Sequence, residues 1–256
     1  MRNPLLQAIC ADAMAAPPGA PMAPVRYDHA GEPQLVAAVV AAIEQAIAQD
    51  RVALPRATLL LSGGSTPIPV YRALAQRVTD WSRVGVELVD ERWVAPDSPG
   101  SNARMLRETL LGGSAGAPVF HLLADPALGL AGSVAAANER ARDWPAAPSL
   151  VLLGMGDDGH TASLFPGSPT LDAALRSTDA YVALDATGCP VAGAWTQRIT
   201  LTPLGWRPAR RRLLVVRGER KRAVLEQALR ERNPLTLPIS AALLVGEAPL
   251  EVHWCP

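Results

Sequence analysis

Short, unbroken apolar runs alternate along this chain with longer segments whose apolar positions recur at helical spacing. A run without polar alternation predicts a strand buried on both faces, which belongs in a parallel sheet. Pro33–Asp50, PQLVAAVVAAIEQAIAQD, predicts the first helix, and Thr58–Leu61 the first such strand. Ser62–Pro67 then turns into a second helix through Tyr71 and Leu74, with Pro67 suited to its first turn. Val86–Val89 predicts another strand, ending in Asp90, Glu91, Arg92 and Trp93, and Ser101 or Asn102 caps a helix through Met105, Leu106 and Leu110. Leu150–Leu153, Ile199–Leu201 and Arg212–Val216 predict further strands, and Lys221–Glu231 another helix. The expected fold class is α/β, a mainly parallel sheet with helices on both faces.

Length and composition narrow this picture. At 256 residues and 49% hydrophobic, with no charge run or Gly/Ser linker inside it, residues 25–256 are expected to form one domain. Residues 1–24, rich in Ala and Pro, are expected to be a mobile N-terminal tail; they lack the basic start and compact apolar core of a cleaved signal. Twenty-four basic residues balance 24 acidic ones, so nothing marks a surface for nucleic acid or anionic membrane. The longest apolar stretch falls short of the ~18 residues a spanning helix needs. Cys10, Cys189 and Cys255 are odd in number and far apart, which fits neither a disulfide framework nor a zinc spacing, so a cytoplasmic location is expected.

Chemistry concentrates where predicted strands end. In Val151–Pro166, VLLGMGDDGHTASLFP, an apolar strand stops abruptly in glycines, two aspartates and a histidine. Gly154, Gly156 and Gly159 are expected to allow a tight turn with positive φ that delivers Asp158 and His160 to the carboxyl edge of the sheet, where such folds bind ligands. The same glycines spell GxGxxG, with Asp179 twenty residues on as a ribose ligand, so a dinucleotide site competes with a general base here. Against it, Asp157 and Asp158 place negative charge where a pyrophosphate would sit, and Pro166 interrupts the helix that should follow.

Three further turns carry candidate groups. Ser62, Gly63, Gly64, Ser65 and Thr66 combine free backbone N–H groups, hydroxyls and a helix start, a ready anion site without the GK[ST] ending of a nucleotide loop. Asp90, Glu91 and Arg92 follow a strand directly, and Arg92 offers a permanent fork of donors to an anion or developing oxyanion. Lys221 is the single lysine against 23 arginines and opens a helix, where a compact charge suits phosphate. Gly112–Gly116 spells GxSxG around Ser114, but a helix precedes it and Pro118 follows, the wrong context for a nucleophile. His29, His121 and His253 show no acid–base grouping nearby in sequence and are expected to be surface or packing residues.

These pieces together resemble the glucosamine-6-phosphate isomerase/6-phosphogluconolactonase family. The resemblance rests on LSGGSTP (Leu61–Pro67), DERWV (Asp90–Val94) with Ser101 and Asn102, LLGMGDDGHTASLFPG (Leu152–Gly167), RIT (Arg198–Thr200) and GERK (Gly218–Lys221), in the family's order. It implies a Rossmann-like fold similar to that of glucosamine-6-phosphate deaminase. It also implies His160 as catalytic base assisted by Asp158, and Arg92 at the substrate's reacting end. The Ser62–Thr66 turn, Asp90, Arg198 and Lys221 would bind a phosphosugar lactone. No metal, cofactor or covalent intermediate is called for, and the expected assembly is a monomer or small homo-oligomer. Deaminase relatives carry a glutamate shortly after their histidine; here Thr161–Pro166 holds no carboxylate, which favours lactone hydrolysis. A deaminase or isomerase activity and a non-catalytic sugar-phosphate sensor are the alternatives.

Overall fold

A computed structural model of the chain describes residues 22–77, 80–112, 116, 118–142, 144 and 147–256. Most of the expected N-terminal tail, Cys10 and Ser114 lie outside the described residues. The frame is a seven-stranded sheet made of β1 (Val25–Asp28), β2 (Ala57–Leu61), β3 (Val84–Leu88), β5 (Val119–Phe120), β6 (Leu150–Leu153), β9 (Arg212–Arg217) and β10 (Leu250–Cys255). Its spatial order is β1-β10-β9-β6-β2-β3-β5, and every pairing is parallel. All residues of β2, β3 and β6 are buried. Because successive side chains point to opposite faces, this covers the sheet on both sides, as the uninterrupted apolar runs require.

The helices are α1 (Glu32–Ala53), α2 (Ile68–Arg77), α3 (Asn102–Leu106), α4 (Gly129–Arg142), α5 (Leu171–Leu175), α6 (Pro203–Trp206), α7 (Glu219–Glu231) and α8 (Ile239–Leu244). Helix α1 buries Leu35, Val39, Ile43, Ala46 and Ile47, the i, i+4 spacing that the sequence shows. Ser101 caps α3 by accepting from the Arg104 N–H. That helix does not continue regularly to Leu110; Arg107–Leu111 widens into a π turn. Thr109 Oγ1 donates to the Met105 carbonyl at 2.7 Å, occupying the acceptor its own backbone N–H would use in an α-helix.

The strand at Ile199–Leu201 does not join the parallel sheet. It is part of β8 (Gln197–Leu201), the centre of a separate antiparallel sheet between β4 (Asp90–Arg92) and β7 (Tyr181–Asp185). Asp90–Arg92 is therefore a strand and not a charged loop. The two sheets are stitched through Val89, whose N–H donates to the Leu61 carbonyl at 2.9 Å and whose carbonyl accepts from Leu201 N–H at 2.7 Å. The Tyr181 hydroxyl adds a bond to the Leu88 carbonyl at 2.9 Å. Among the described residues, no helix is long and apolar enough to cross a membrane.

Candidate active site

The chain leaves β2 toward β3 on one side, whereas β6 is followed on its other side by β9 and β10, so β2 and β6 flank the point where the strand order reverses. Ligands of open parallel sheets bind in the crevice at the carboxyl ends of such strands. Here β2 ends in the Ser62–Thr66 turn and β6 in the loop carrying His160, with Leu61 and Leu152 in register. Two of the turns predicted from sequence thus converge on one crevice.

In the first turn, Gly64, Ser65 and Thr66 are at least partly accessible, but Ser62 is buried and its Oγ has no hydrogen-bond partner among the described residues. The Ser62 carbonyl accepts from the Tyr71 hydroxyl at 2.7 Å, fixing the turn to α2. Gly63 is required because a Cβ there would run into the Asn102 side-chain amide. Asn102 in turn donates to the Asp90 carbonyl at 2.8 Å, tying the phosphate-type turn to β4.

In the second loop, His160 Nδ1 lies 2.6 Å from Asp158 Oδ1, and the His160 backbone N–H donates to the same oxygen at 3.1 Å. Burial pushes the Asp158 carboxyl up, but the hydrogen bond and charge of His160 outweigh this and hold it below the ordinary carboxylate range. An ionised carboxylate can only accept, so in the neutral imidazole the proton lies on Nδ1 and the lone pair is on Nε2. The turn closes through Gly156 N–H to His160 carbonyl at 2.9 Å and Gly159 N–H to Gly156 carbonyl at 3.1 Å. Of the three glycines expected at positive φ, only Gly159 adopts it, at +80°. Gly156 is needed for a different reason, since a Cβ there would collide with the imidazole of His160. No helix begins until Leu171, so the GxGxxG spelling lacks the helix N-terminus a pyrophosphate needs.

The second half of the block anchors this loop. Ser163 Oγ donates to Asp90 Oδ2 at 2.5 Å, its N–H donates to Thr200 Oγ1 at 3.1 Å, and Thr161 Oγ1 donates to the Gly154 carbonyl at 2.8 Å. Asp90 is buried and accepts one of these bonds, so it braces the His160 loop from β4. Glu91 faces elsewhere: its carboxylate accepts from the N–H groups of Arg92, Asn102 and Ala103 and the Ser101 hydroxyl, forming the floor of α3. Burial pushes the Glu91 carboxyl up against those four bonds.

Arg92 and Arg198 stand directly opposite each other across β4 and β8, and so project from the same face. Arg198 is buried, with Nε donating to the Trp195 carbonyl at 2.6 Å and Nη2 to the Ala192 carbonyl at 2.9 Å. Its guanidinium sits 5.3 Å over Phe165, whose ring centroid is 4.6 Å from that of His160. Burial lowers its pKa, Asp90 opposes this, and Arg92 adds to it. Arg92 donates to the Gly100 carbonyl at 2.6 Å and packs 5.7 Å from the Trp195 ring centre, while its Nε is buried without a partner among the described residues. Two like charges opposed across a strand pair are unfavourable unless an anion sits between them. Lys221 lies in the first turn of α7 with no ion pair among the described residues, and its neighbour Arg220 reaches Asp157 at 3.6 Å, so this turn borders the His160 loop.

A model of the family described as glucosamine-6-phosphate isomerases/6-phosphogluconolactonase matches residues 30–254. The chain belongs to this family. A 6-phosphogluconolactonase of Xylella fastidiosa is 48% identical over 213 residues, covering 83% of this chain and 88% of that protein. One from Pseudomonas aeruginosa is 38% identical over 224 residues, covering 87% and 89%. The crystal structure of a 6-phosphogluconolactonase from Shewanella baltica OS155 superposes with a TM-score of 0.84 at 33% identity, over 93% of this chain and all of that one. A monomeric glucosamine-6-phosphate deaminase superposes at 0.73 with 18% identity, which speaks for the shared family fold alone.

Sequence reasoning missed part of what surrounds the site. Ser163, Thr200 and Phe165 are fixing elements visible in sequence only as members of the matching blocks, and Asn102, a cap candidate in sequence, leaves the cap to Ser101 and holds Asp90 instead. The three other histidines are less isolated than expected. His29 Nε2 is 3.1 Å from His253 Nδ1, and His121 Nδ1 is 3.2 Å from Glu87 Oε1, pairings made by strands distant in sequence.

Proposed function

We propose that this chain hydrolyses 6-phospho-D-glucono-1,5-lactone to 6-phospho-D-gluconate, the second step of the oxidative pentose phosphate pathway, with water activated by His160. The observation that carries the reading is the 2.6 Å contact between His160 Nδ1 and an ionised Asp158, which leaves Nε2 as a free base at the crevice between β2 and β6. Nε2 takes a proton from water as its oxygen attacks the lactone C1. The tetrahedral oxyanion then collapses, the C1–ring-oxygen bond breaks, and the imidazolium returns the proton to the departing ring oxygen. Asp158 stays ionised throughout and stabilises the imidazolium.

Arg92 counters the oxyanion, an interaction of roughly 3 kcal/mol in comparable sites. Arg198, Lys221 and the Gly63–Thr66 backbone hold the phosphate, which turns remote binding into orientation at C1. Asp90 acts through Ser163 by bracing the loop. The names of the relatives quoted above, 6-phosphogluconolactonases from two bacteria at 48% and 38% identity, support this substrate. The test is acid release from 6-phosphogluconolactone by the purified chain, corrected for spontaneous opening. No acceleration over that background overturns the proposal, and ammonia release from glucosamine 6-phosphate assigns the deaminase chemistry instead.

A further inference from the structure

The lysine that the proposed function gives to phosphate is held at a turn that makes no use of its own side chain for support. β9 ends at Arg217, and Gly218, at φ +86°, swings the chain into α7 three residues before Lys221. The Gly218 N–H donates to the Cys255 carbonyl at 2.9 Å, and the Gly218 carbonyl accepts from the indole Nε1 of Trp254 at 3.1 Å. Arg222 lays its guanidinium 4.1 Å over the Trp254 ring and reaches Asp28 Oδ2 at 3.3 Å. Trp254 is thus bonded to the residue before the helix and stacked on the residue after Lys221, bracketing the lysine from both sides. On the other flank, Arg220 points to Asp157 of the catalytic loop.

We infer that Trp254 is a positioning residue for substrate binding: through Gly218 and Arg222 it fixes the first turn of α7 and with it the lysine that meets the substrate phosphate. This rests on the reading of Lys221 as a phosphate ligand. A long flexible ammonium loses affinity when the backbone beneath it wanders, because it must then be ordered at each binding event. Trp254→Phe keeps the ring and its stacking with Arg222 but removes the N–H, so the fold should survive while the turn loosens.

The experiment is a double-mutant cycle on KM for 6-phosphogluconolactone with Trp254→Phe, Lys221→Met and the double variant. Lys221→Met is expected to raise KM about tenfold, as for loss of a charged hydrogen bond, and Trp254→Phe about fivefold with kcat little changed. In the Lys221→Met background, Trp254→Phe should add almost nothing. If Lys221→Met leaves KM unchanged, the phosphate reading beneath the inference fails. If Lys221→Met raises KM but Trp254→Phe does not, or raises it equally in both backgrounds, the positioning role fails. Should Trp254→Phe not fold, Arg222→Gln removes the other arm of the bracket from the surface and is read on the same cycle with the same outcomes.

Discussion

His160, in the loop that follows β6, and His253, on β10 of the same sheet, have imidazoles wired in opposite ways. His160 has a carboxylate at 2.6 Å and keeps about a fifth of its side chain open to solvent. His253 is almost fully buried, stacked between Tyr27 and His29 at ring-centre distances of 4.8 and 5.3 Å. Its nearest nitrogen partner is His29 at 3.1 Å, Glu251 stands off at 4.0 Å, and its Nε2 has no hydrogen-bond partner among the described residues. Burial, the neighbouring His29 and Arg211 push its pKa down to about 4, with Glu251 opposing only in part. A general base must gain a proton and give it back. The buried ring cannot take one at moderate cost, whereas the ring at the switch point has a carboxylate to stabilise the imidazolium and an open nitrogen to receive the proton.

The largest expected effect breaks the comparison at its functional end. His160→Ala should lower kcat by about 10³-fold, the range for a positioned acid–base group, while 6-phosphogluconate still binds. Near-normal turnover in that variant would remove His160 from the mechanism. Asp158→Asn follows, with a loss of about 10²-fold in kcat and a smaller change in KM. An amide can donate to Nδ1 and move the imidazole proton to Nε2, so the base is lost while the geometry survives. Equal losses in kcat for Asn and Glu at 158 would show that shape, and not charge and acceptor character, is what matters there.

The other histidine should be visible in stability. Its folded pKa of about 4 lies below the ordinary value of 6.5, so below that value the unfolded chain binds more protons than the folded one. The contribution of neutral His253 is therefore fully present above pH 6.5 and is lost as pH falls toward 4. Between pH 7 and pH 5 the wild-type chain should lose about 2 kcal/mol more unfolding free energy than His253→Phe, measured by urea denaturation. Parallel pH profiles would mean that the histidine stack does not restrain protonation.

What the sequence revealed and what it concealed divide along the same line. Local patterns carried the strands at Thr58–Leu61, Leu150–Leu153 and Arg212–Val216, because burial on both faces leaves a continuous apolar run. They also carried the turns, because strands ending in Ser-Gly-Gly or Gly-Met-Gly-Asp-Asp-Gly-His need special backbone geometry at particular positions. β4 escaped because Asp-Glu-Arg reads as a loop; its carboxylates are satisfied by Ser163 and by α3, which lie far along the chain or around a turn. β1 escaped as an edge strand of four exposed residues with no apolar run. Arg212 shows the same limit, being buried with no ion pair among the described residues. Its guanidinium donates to the Ala242, Val245 and Ala248 carbonyls at and beyond the end of α8, a partner set only the fold can supply. Burial lowers its pKa to about 10, which still leaves it charged at neutral pH.

The smallest expected effect tests whether any histidine beside a carboxylate would pass for a site. His121 Nδ1 is 3.2 Å from Glu87 Oε1, so on distance alone it repeats the His160 arrangement. Two features separate them. Glu87 is buried and also faces Arg140 at 3.5 Å, so its charge is countered whether or not His121 is present. His121 itself is nearly half exposed and follows β5, the edge strand farthest in the sheet order from β9 and three places from β6. Solvent screens such a pair, and its removal should cost no more than about 0.5 kcal/mol. His121→Asn is expected to leave kcat and KM for the lactone at wild-type values. A substantial loss of turnover would mean that the distinction drawn between the two pairs, an uncommitted carboxylate at the switch point against one already balanced at the sheet edge, does not govern which histidine works.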